Sequence, residues 1–201
     1  MKKVYSSYPL YNFLRILNRH PGDRKVLDCG AGGLFPKLGL FAEHGYECYG
    51  VEIDENRLEN ARKFSQKQKL KLELLKGDMR ELPYENEFFD AVYSWNSIFH
   101  LPKQGIKESI KECIRVLKSG GFLYVNLLSI EDDMYGEGEK RGQGEYFSKK
   151  DKELHSFFKD DEADSYFDSL QMEQKIKRHS KIKLDNQYHN TCYIDYIYRK
   201  P

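Results

Sequence analysis

The stretch Val26-Leu27-Asp28-Cys29-Gly30-Ala31-Gly32-Gly33 gathers residue types from which a small-ligand site can be built. A short apolar strand runs into a glycine turn. Glycines let the chain reverse tightly and let a ligand approach the backbone closely. A helix expected from about Leu34 to Glu43 would add unpaired N–H groups at its start. The dinucleotide fingerprint G-x-G-x-x-G requires a small residue in its third slot, and counting from Gly30 and Gly32 places Phe35 there. Asp28, just before the turn, would also repel a pyrophosphate. Both features disfavour a nicotinamide-dependent oxidoreductase. They favour a ligand with a positive centre and no phosphate.

Asp28-Cys29-Gly30-Ala31-Gly32 resembles motif I, D-x-G-x-G, of the class I (Rossmann-like) S-adenosylmethionine-dependent methyltransferases. Their cofactor carries a sulfonium and an ammonium. The third glycine common in that motif, at the place of Leu34, stands one residue early at Gly33. Gly50-Val51-Glu52-Ile53-Asp54 resembles the end of the family's second strand. The resemblance implies that Glu52, 22 residues beyond Gly30, accepts both ribose hydroxyls and that Ile53 packs on the adenine. Lys76-Gly77-Asp78-Met79 resembles the third-strand motif, in which the acid accepts from the adenine amino group and its neighbour donates a backbone N–H. Phe89 to Ser94 resembles the fourth-strand motif, with Asp90 stabilising the fold and Ser94 and Trp95 lining the methionine end. Arg115 to Gly121 resembles the structural stretch before strand five. The implied cofactor-binding set is therefore Asp28, Gly30, Ala31, Gly32, Glu52, Ile53, Asp78, Met79 and Ser94, with S-adenosylmethionine as cofactor. The motifs fall in family order across 25–128 and fade beyond it.

No catalytic residue is fixed by pattern. His100, in Ile98-Phe99-His100-Leu101, follows the fourth strand, where it would either act on an acceptor or simply pack at the start of the next helix. His155, His179 and His189 have no metal-ligand spacing, and Cys29, Cys48, Cys113 and Cys192 form no C-x-x-C pair, so neither a metal site nor a disulfide framework is expected. Tyr5, Tyr8 and Tyr11 could face a sulfonium through their rings, since the family's N-terminal segment often covers the cofactor. The N/D-P-P-Y/F motif of amino-methylating nucleic-acid enzymes is absent after strand four, which reads Ser94-Trp95-Asn96-Ser97. A small-molecule acceptor is therefore the leading expectation. RNA or protein acceptors, and a non-catalytic sensor or partner subunit, are the alternatives.

These residues need a scaffold, and the hydrophobic pattern supplies one. Leu10, Phe13, Leu14 and Leu17 have helical spacing, as do Ile106, Ile110, Cys113, Ile114 and Leu117. Apolar strands are expected near 26–28, 46–51, 72–75, 88–94 and 122–128, and Asp54 is placed to cap a helix carrying Leu58, Ala61 and Ser65. Strand–helix alternation of this kind predicts an α/β, doubly wound, mostly parallel sheet covered on both faces. By analogy with the family it should have seven strands, the last two an antiparallel pair near 172–182 and 191–199. The charged, glycine-rich 129–147 stretch is expected to be a lid or substrate loop, and Ser148 with Asp151 to start a helix. The whole 1–201 chain is expected to be one domain: an N-terminal helical segment (1–24), a cofactor core (25–128) and a substrate-selecting part (129–201).

Composition agrees with a globular chain: 201 residues, 39% apolar, 32% charged and a net charge of +1. Such a charge gives no general field for nucleic acid. The chain has no apolar run long enough to span a bilayer and no apolar stretch after Lys3 of the kind an export signal needs, so a cytoplasmic protein is the expectation.

Overall fold

The computed structural model describes residues 8–20, 22, 24–184 and 187–201. The first helix, α1 (Tyr8–Leu17), is followed by β1 (Lys25–Cys29), α2 (Leu38–Glu43), β2 (Glu47–Glu52), α3 (Glu55–Gln68), β3 (Leu72–Lys76) and β4 (Phe89–Ser94). A 3₁₀ turn at Ile98–His100 leads to α4 (Lys103–Val116) and β5 (Leu117–Ser129). Then come β6 (Glu139–Gly142), β7 (Glu145–Ser148), β8 (Glu153–Phe158), a second 3₁₀ turn at Asp164–Phe167, β9 (Gln171–Leu184) and β10 (Gln187–Arg199).

The central layer runs β3-β2-β1-β4-β5 with all neighbours parallel, and β10 joins β5 antiparallel, from Tyr193 opposite Leu128 to Arg199 opposite Phe122. β9 pairs antiparallel with β10 at the outer edge. This layer is the mostly parallel sheet with a terminal antiparallel pair that the pattern predicted, and it has the seven strands expected by analogy with the family. Lys175, Lys177, Lys181 and Lys183 alternate along β9, a composition that discourages another strand from pairing onto an open edge.

Side chains alternate across the sheet because successive strand residues face opposite ways. Val26, Cys48, Leu74, Ala91, Tyr93, Phe122, Tyr124 and Ile197 meet α1, α2 and α3 on one face. Leu27, Val51, Val92, Leu123, Val125 and Tyr196 meet α4 and the second 3₁₀ turn on the other. Within the first layer Phe13 of α1 lies 5.5 Å from the Tyr124 ring, and Phe41 of α2 stacks on Tyr93 at 5.0 Å. Helices thus cover both faces, as a doubly wound sheet requires.

Three expectations are corrected. The 129–147 stretch is no plain loop. After turns that use Gly136 and Gly138 at positive φ, it forms β6 and β7, an antiparallel hairpin. Ser148 starts no helix either. Its hydroxyl accepts from the Asp151 N–H at 3.3 Å, but Lys152 then adopts φ +59° and breaks the turn before a second one can form. Leu154, His155, Ser156, Phe157 and Phe158 continue as β8, which pairs antiparallel with β7 and extends β5 in parallel through Leu128–Phe157 and Ser129–Phe158. The described sheet accordingly has ten strands, seven in the central layer and three in this extension. Finally, α2 begins at Leu38, four residues later than expected, so no helix N-terminus adjoins the glycine turn and Leu34 and Phe35 lie exposed.

Candidate cofactor site

β1, β2, β3 and β4 end at the same edge of the sheet, where an open parallel sheet receives its ligands. Asp28 lies near the end of β1, between Gly50 of β2 and Tyr93 of β4. It is only 3% exposed, and its carboxylate accepts the Tyr93 hydroxyl at 2.7 Å. Burial pushes its pKa up to about 7. The Tyr93 bond opposes this, and the Glu52 charge adds to it.

The chain then turns through Gly30 and Ala31, whose N–H groups both reach the Val51 carbonyl, at 2.8 and 3.1 Å. Gly30 has φ +103°, and a Cβ there would stand 2.0 Å from Ser97 Oγ. A Cβ on Gly32 would stand 2.2 Å from Glu52 Oε2. Both positions therefore exclude a side chain, one on conformation and space and the other on space alone.

Glu52 ends β2 at 5% exposure. One of its oxygens accepts the Gly32 N–H at 2.9 Å and the other accepts the Asp54 N–H at 3.0 Å, while Arg57 Nε stands 3.9 Å away. A carboxylate offers about four lone-pair positions, so two remain free after these bonds. Glu52 thus shapes the loop and keeps acceptor capacity. Ile53 beside it is 59% exposed, an uncovered apolar surface at the strand end. Asp54 caps α3 by accepting the Arg57 N–H at 2.8 Å.

Asp78 and Met79 follow β3. Asp78 is clamped by the Arg80 guanidinium, which holds its carboxyl below the usual range. Met79 packs against the α4-side core, and its Cε lies 3.8 Å from the place of a Gly30 Cβ, bringing the third-strand motif to the glycine turn. Ser94 is fully buried and its hydroxyl donates to the Cys29 carbonyl at 2.8 Å, tying β4 to β1. Trp95 stacks on Tyr124, with Arg178 above its ring.

The sequence missed the residues that hold the loop after β4. Asn96, at φ +50°, is locked by a reciprocal amide pair with buried Asn126: its N–H donates at 2.8 Å and its side-chain oxygen accepts at 2.6 Å. This sets Ser97 beneath Gly30. A non-glycine residue at positive φ leaves no pattern, and its partner lies 30 residues away. His100 is half-buried on the 3₁₀ turn, its Nδ1 3.1 Å from the Leu154 carbonyl of β8, and burial lowers its pKa. Tyr8 and Tyr11 lie on the outer side of α1, at 80% and 36% exposure, and Tyr5 falls outside the described residues. A cavity of about 320 Å³ lined by His20, Arg24, Asp90 and Arg199 lies at the opposite, amino end of the strands and has no part in this site.

The comparisons with known proteins point the same way. A family model described as "Methyltransferase domain" matches residues 27–125, about half the chain. The chain is 35% identical over 105 residues to a sarcosine/dimethylglycine N-methyltransferase of Aphanothece halophytica, an alignment covering 50% of this chain and 36% of that one. It is 31% identical over 131 residues to a sterol 24-C-methyltransferase of Pneumocystis carinii, covering 62% and 33%. The chain thus spans about a third of the length of these relatives. An S-adenosylmethionine-dependent methyltransferase from Methanosarcina mazei has the same fold, with a TM-score of 0.76, 19% identity, and 98% of this chain and 99% of that one covered. Another from Clostridium acetobutylicum has a TM-score of 0.69 at 15% identity, covering 96% and 90%. Through residues 27–125, which hold the glycine turn, Glu52 and Asp78, the chain belongs to the class I S-adenosylmethionine-dependent methyltransferases.

Proposed function

We propose that this chain transfers the methyl group of S-adenosylmethionine to a small-molecule acceptor. The observation that carries the reading is the convergence of Asp28, the Gly30–Gly32 turn, Glu52, Ile53 and Met79 at one sheet edge, inside the segment matched by the family model. In this reading the two free lone-pair positions of Glu52 take the ribose hydroxyls. Ile53 takes the adenine face, Asp78 the adenine amino group and the Met79 N–H a ring nitrogen. Asp28 supplies negative charge toward the cofactor's cationic end. Ser94 acts through the strand bond it makes to Cys29 rather than by touching the ligand.

The cofactor brings the electrophilic carbon, and this chain's residues need only orient it and exclude water. The acceptor would be selected by the 129–201 part, above all by β6–β8 beside the strand ends and by the Trp95, Arg178 and Tyr193 cluster. Two relatives that align with the core are named for small acceptors, an N-methylated glycine and a sterol. The test is transfer of labelled methyl from S-adenosylmethionine to a panel of amines, thiols, hydroxyl compounds, RNA and protein. Label appearing in a small molecule supports the reading. Label only in RNA or protein, or tight cofactor binding with no transfer, contradicts it in favour of a macromolecular acceptor or a sensor.

A further inference from the structure

β8 brings Glu153 and His155 to His100, which lies more than 50 residues earlier in the sequence. His100, from the 3₁₀ turn after β4, and Glu153 and His155, from β8, offer ligand atoms that all lie within 4.8 Å of one another. His100 Nδ1 stands 3.4 Å from Glu153 Oε2 and 3.1 Å from the Leu154 carbonyl, and ligation through Nδ1 would replace the Leu154 contact. The separation from Glu153 is long for a hydrogen bond. It matches the roughly 3.4 Å between two donors on a tetrahedral ion with bonds of about 2.1 Å. His155 is 8% exposed, and its ring meets the His100 ring edge-on at 4.9 Å between centroids. Arg57 Nη1 lies 3.5 Å from the other Glu153 oxygen, an outer partner that would orient a ligating carboxylate. His155 also lines a cavity of about 520 Å³ with Met134, Gly138, Ser148 and His189, which gives an ion and its co-ligand a way in.

We propose that His100, Glu153 and His155 form a binding site for a divalent transition-metal ion of the zinc class. Two imidazoles and one carboxylate select such an ion over magnesium or calcium, which prefer all-oxygen shells. Three protein ligands leave at least one position open, the arrangement of a reactive rather than a structural site. The site adjoins the candidate cofactor loop, because Arg57 bridges Glu153 to Glu52. Its role rests on the methyltransferase reading, whereas its existence does not. There the ion would bind an acceptor hydroxyl or thiol and lower its pKa, and the released proton would pass to solvent. The lone pair so exposed forms the new bond to the methyl carbon. The carbon–sulfur bond breaks with its electron pair going to sulfur, and the sulfonium becomes a neutral thioether.

The test uses the full chain, stripped with a chelator, then titrated with Zn²⁺ by calorimetry and with Co²⁺ by visible absorption. One ion per chain is expected, with intense tetrahedral Co²⁺ bands. His155→Gln and Glu153→Gln should each weaken binding by at least roughly tenfold, the loss that even an outer partner of a metal ligand typically causes. If His155→Gln fails to fold by circular dichroism, Glu153→Gln decides, since that side chain is 39% exposed and its loss leaves the core intact. No stoichiometric uptake, or uptake unaltered by these changes, overturns the proposal. Uptake abolished by His179→Gln also overturns it, because the ion would then occupy the more exposed Glu131, His179 and Cys192 group. Cofactor affinity of the stripped protein is measured in parallel. Its loss would count against the methyltransferase reading, not against the metal site.

Discussion

Glu52 holds the glycine loop and, in the proposed reading, also takes the ligand. Its two oxygens hold the Gly32 and Asp54 N–H groups and keep two lone-pair positions, which the proposal gives to a ribose. Glu52→Ala is expected to weaken S-adenosylmethionine binding by up to roughly 1.5–3 kcal/mol per lost bond while the protein stays folded. Calorimetry checks this, and unchanged affinity would remove the ribose assignment. Asp28 makes a pH-dependent prediction. Its carboxyl is raised from 3.8 to about 7 in the folded chain, so from pH 4 to 7 the unfolded chain holds fewer protons at this site. The contribution of Asp28 to stability is therefore fully present below about pH 4 and falls as pH rises through that window. A cationic ligand favours the ionised form, so cofactor binding should release a proton and tighten as pH rises toward 7. Asp28→Asn should flatten both dependences in pH-resolved melting and calorimetry.

At the scale of elements, the sequence was most legible where one segment's own pattern decides its state. α1 buries Leu10, Phe13, Leu14 and Leu17 as the spacing required, and α3 starts at the Asp54 cap. The end of α3 lay outside the pattern. Lys69 closes the helix in a left-handed conformation at φ +55° while donating to the Ser65 and Gln66 carbonyls. Glycine is the residue suited to that position, so Lys69→Gly is expected to stabilise the protein by about 0.5–1 kcal/mol, read as a Tm rise of roughly 1–4 °C. The β6–β8 extension was illegible for a different reason. Glu139 to Gly142 is polar throughout and becomes a strand only because β7 pairs with it, and β7 in turn needs β8 and β5. Ser148 and Asp151 carry a helix-start signal that is true for a single turn and ends at Lys152. The glycine turn, Glu52 and Asp78 could be placed by motif. Asn96, Asn126, Ser97 and Arg57 could not, because each acquires its role from a partner in another element.

Across the whole molecule, the site is as stable as the two layers that clamp its sheet. Phe13 joins α1 to β4, β5 and α2 through Tyr93, Tyr124 and Phe41. Phe13→Ala is expected to cost about 3–5 kcal/mol, with a Tm fall on the order of 10 °C, as α1 loses its anchor. A fall of under 2 °C would mean that α1 is peripheral to the fold. The strand ends that this core holds in line carry the central claim, that they receive S-adenosylmethionine. The most direct test is calorimetric titration of the purified chain with S-adenosylmethionine, S-adenosylhomocysteine and NAD. Micromolar binding of the first two with none of NAD is the predicted result. Binding of NAD, or of none of the three, would contradict it.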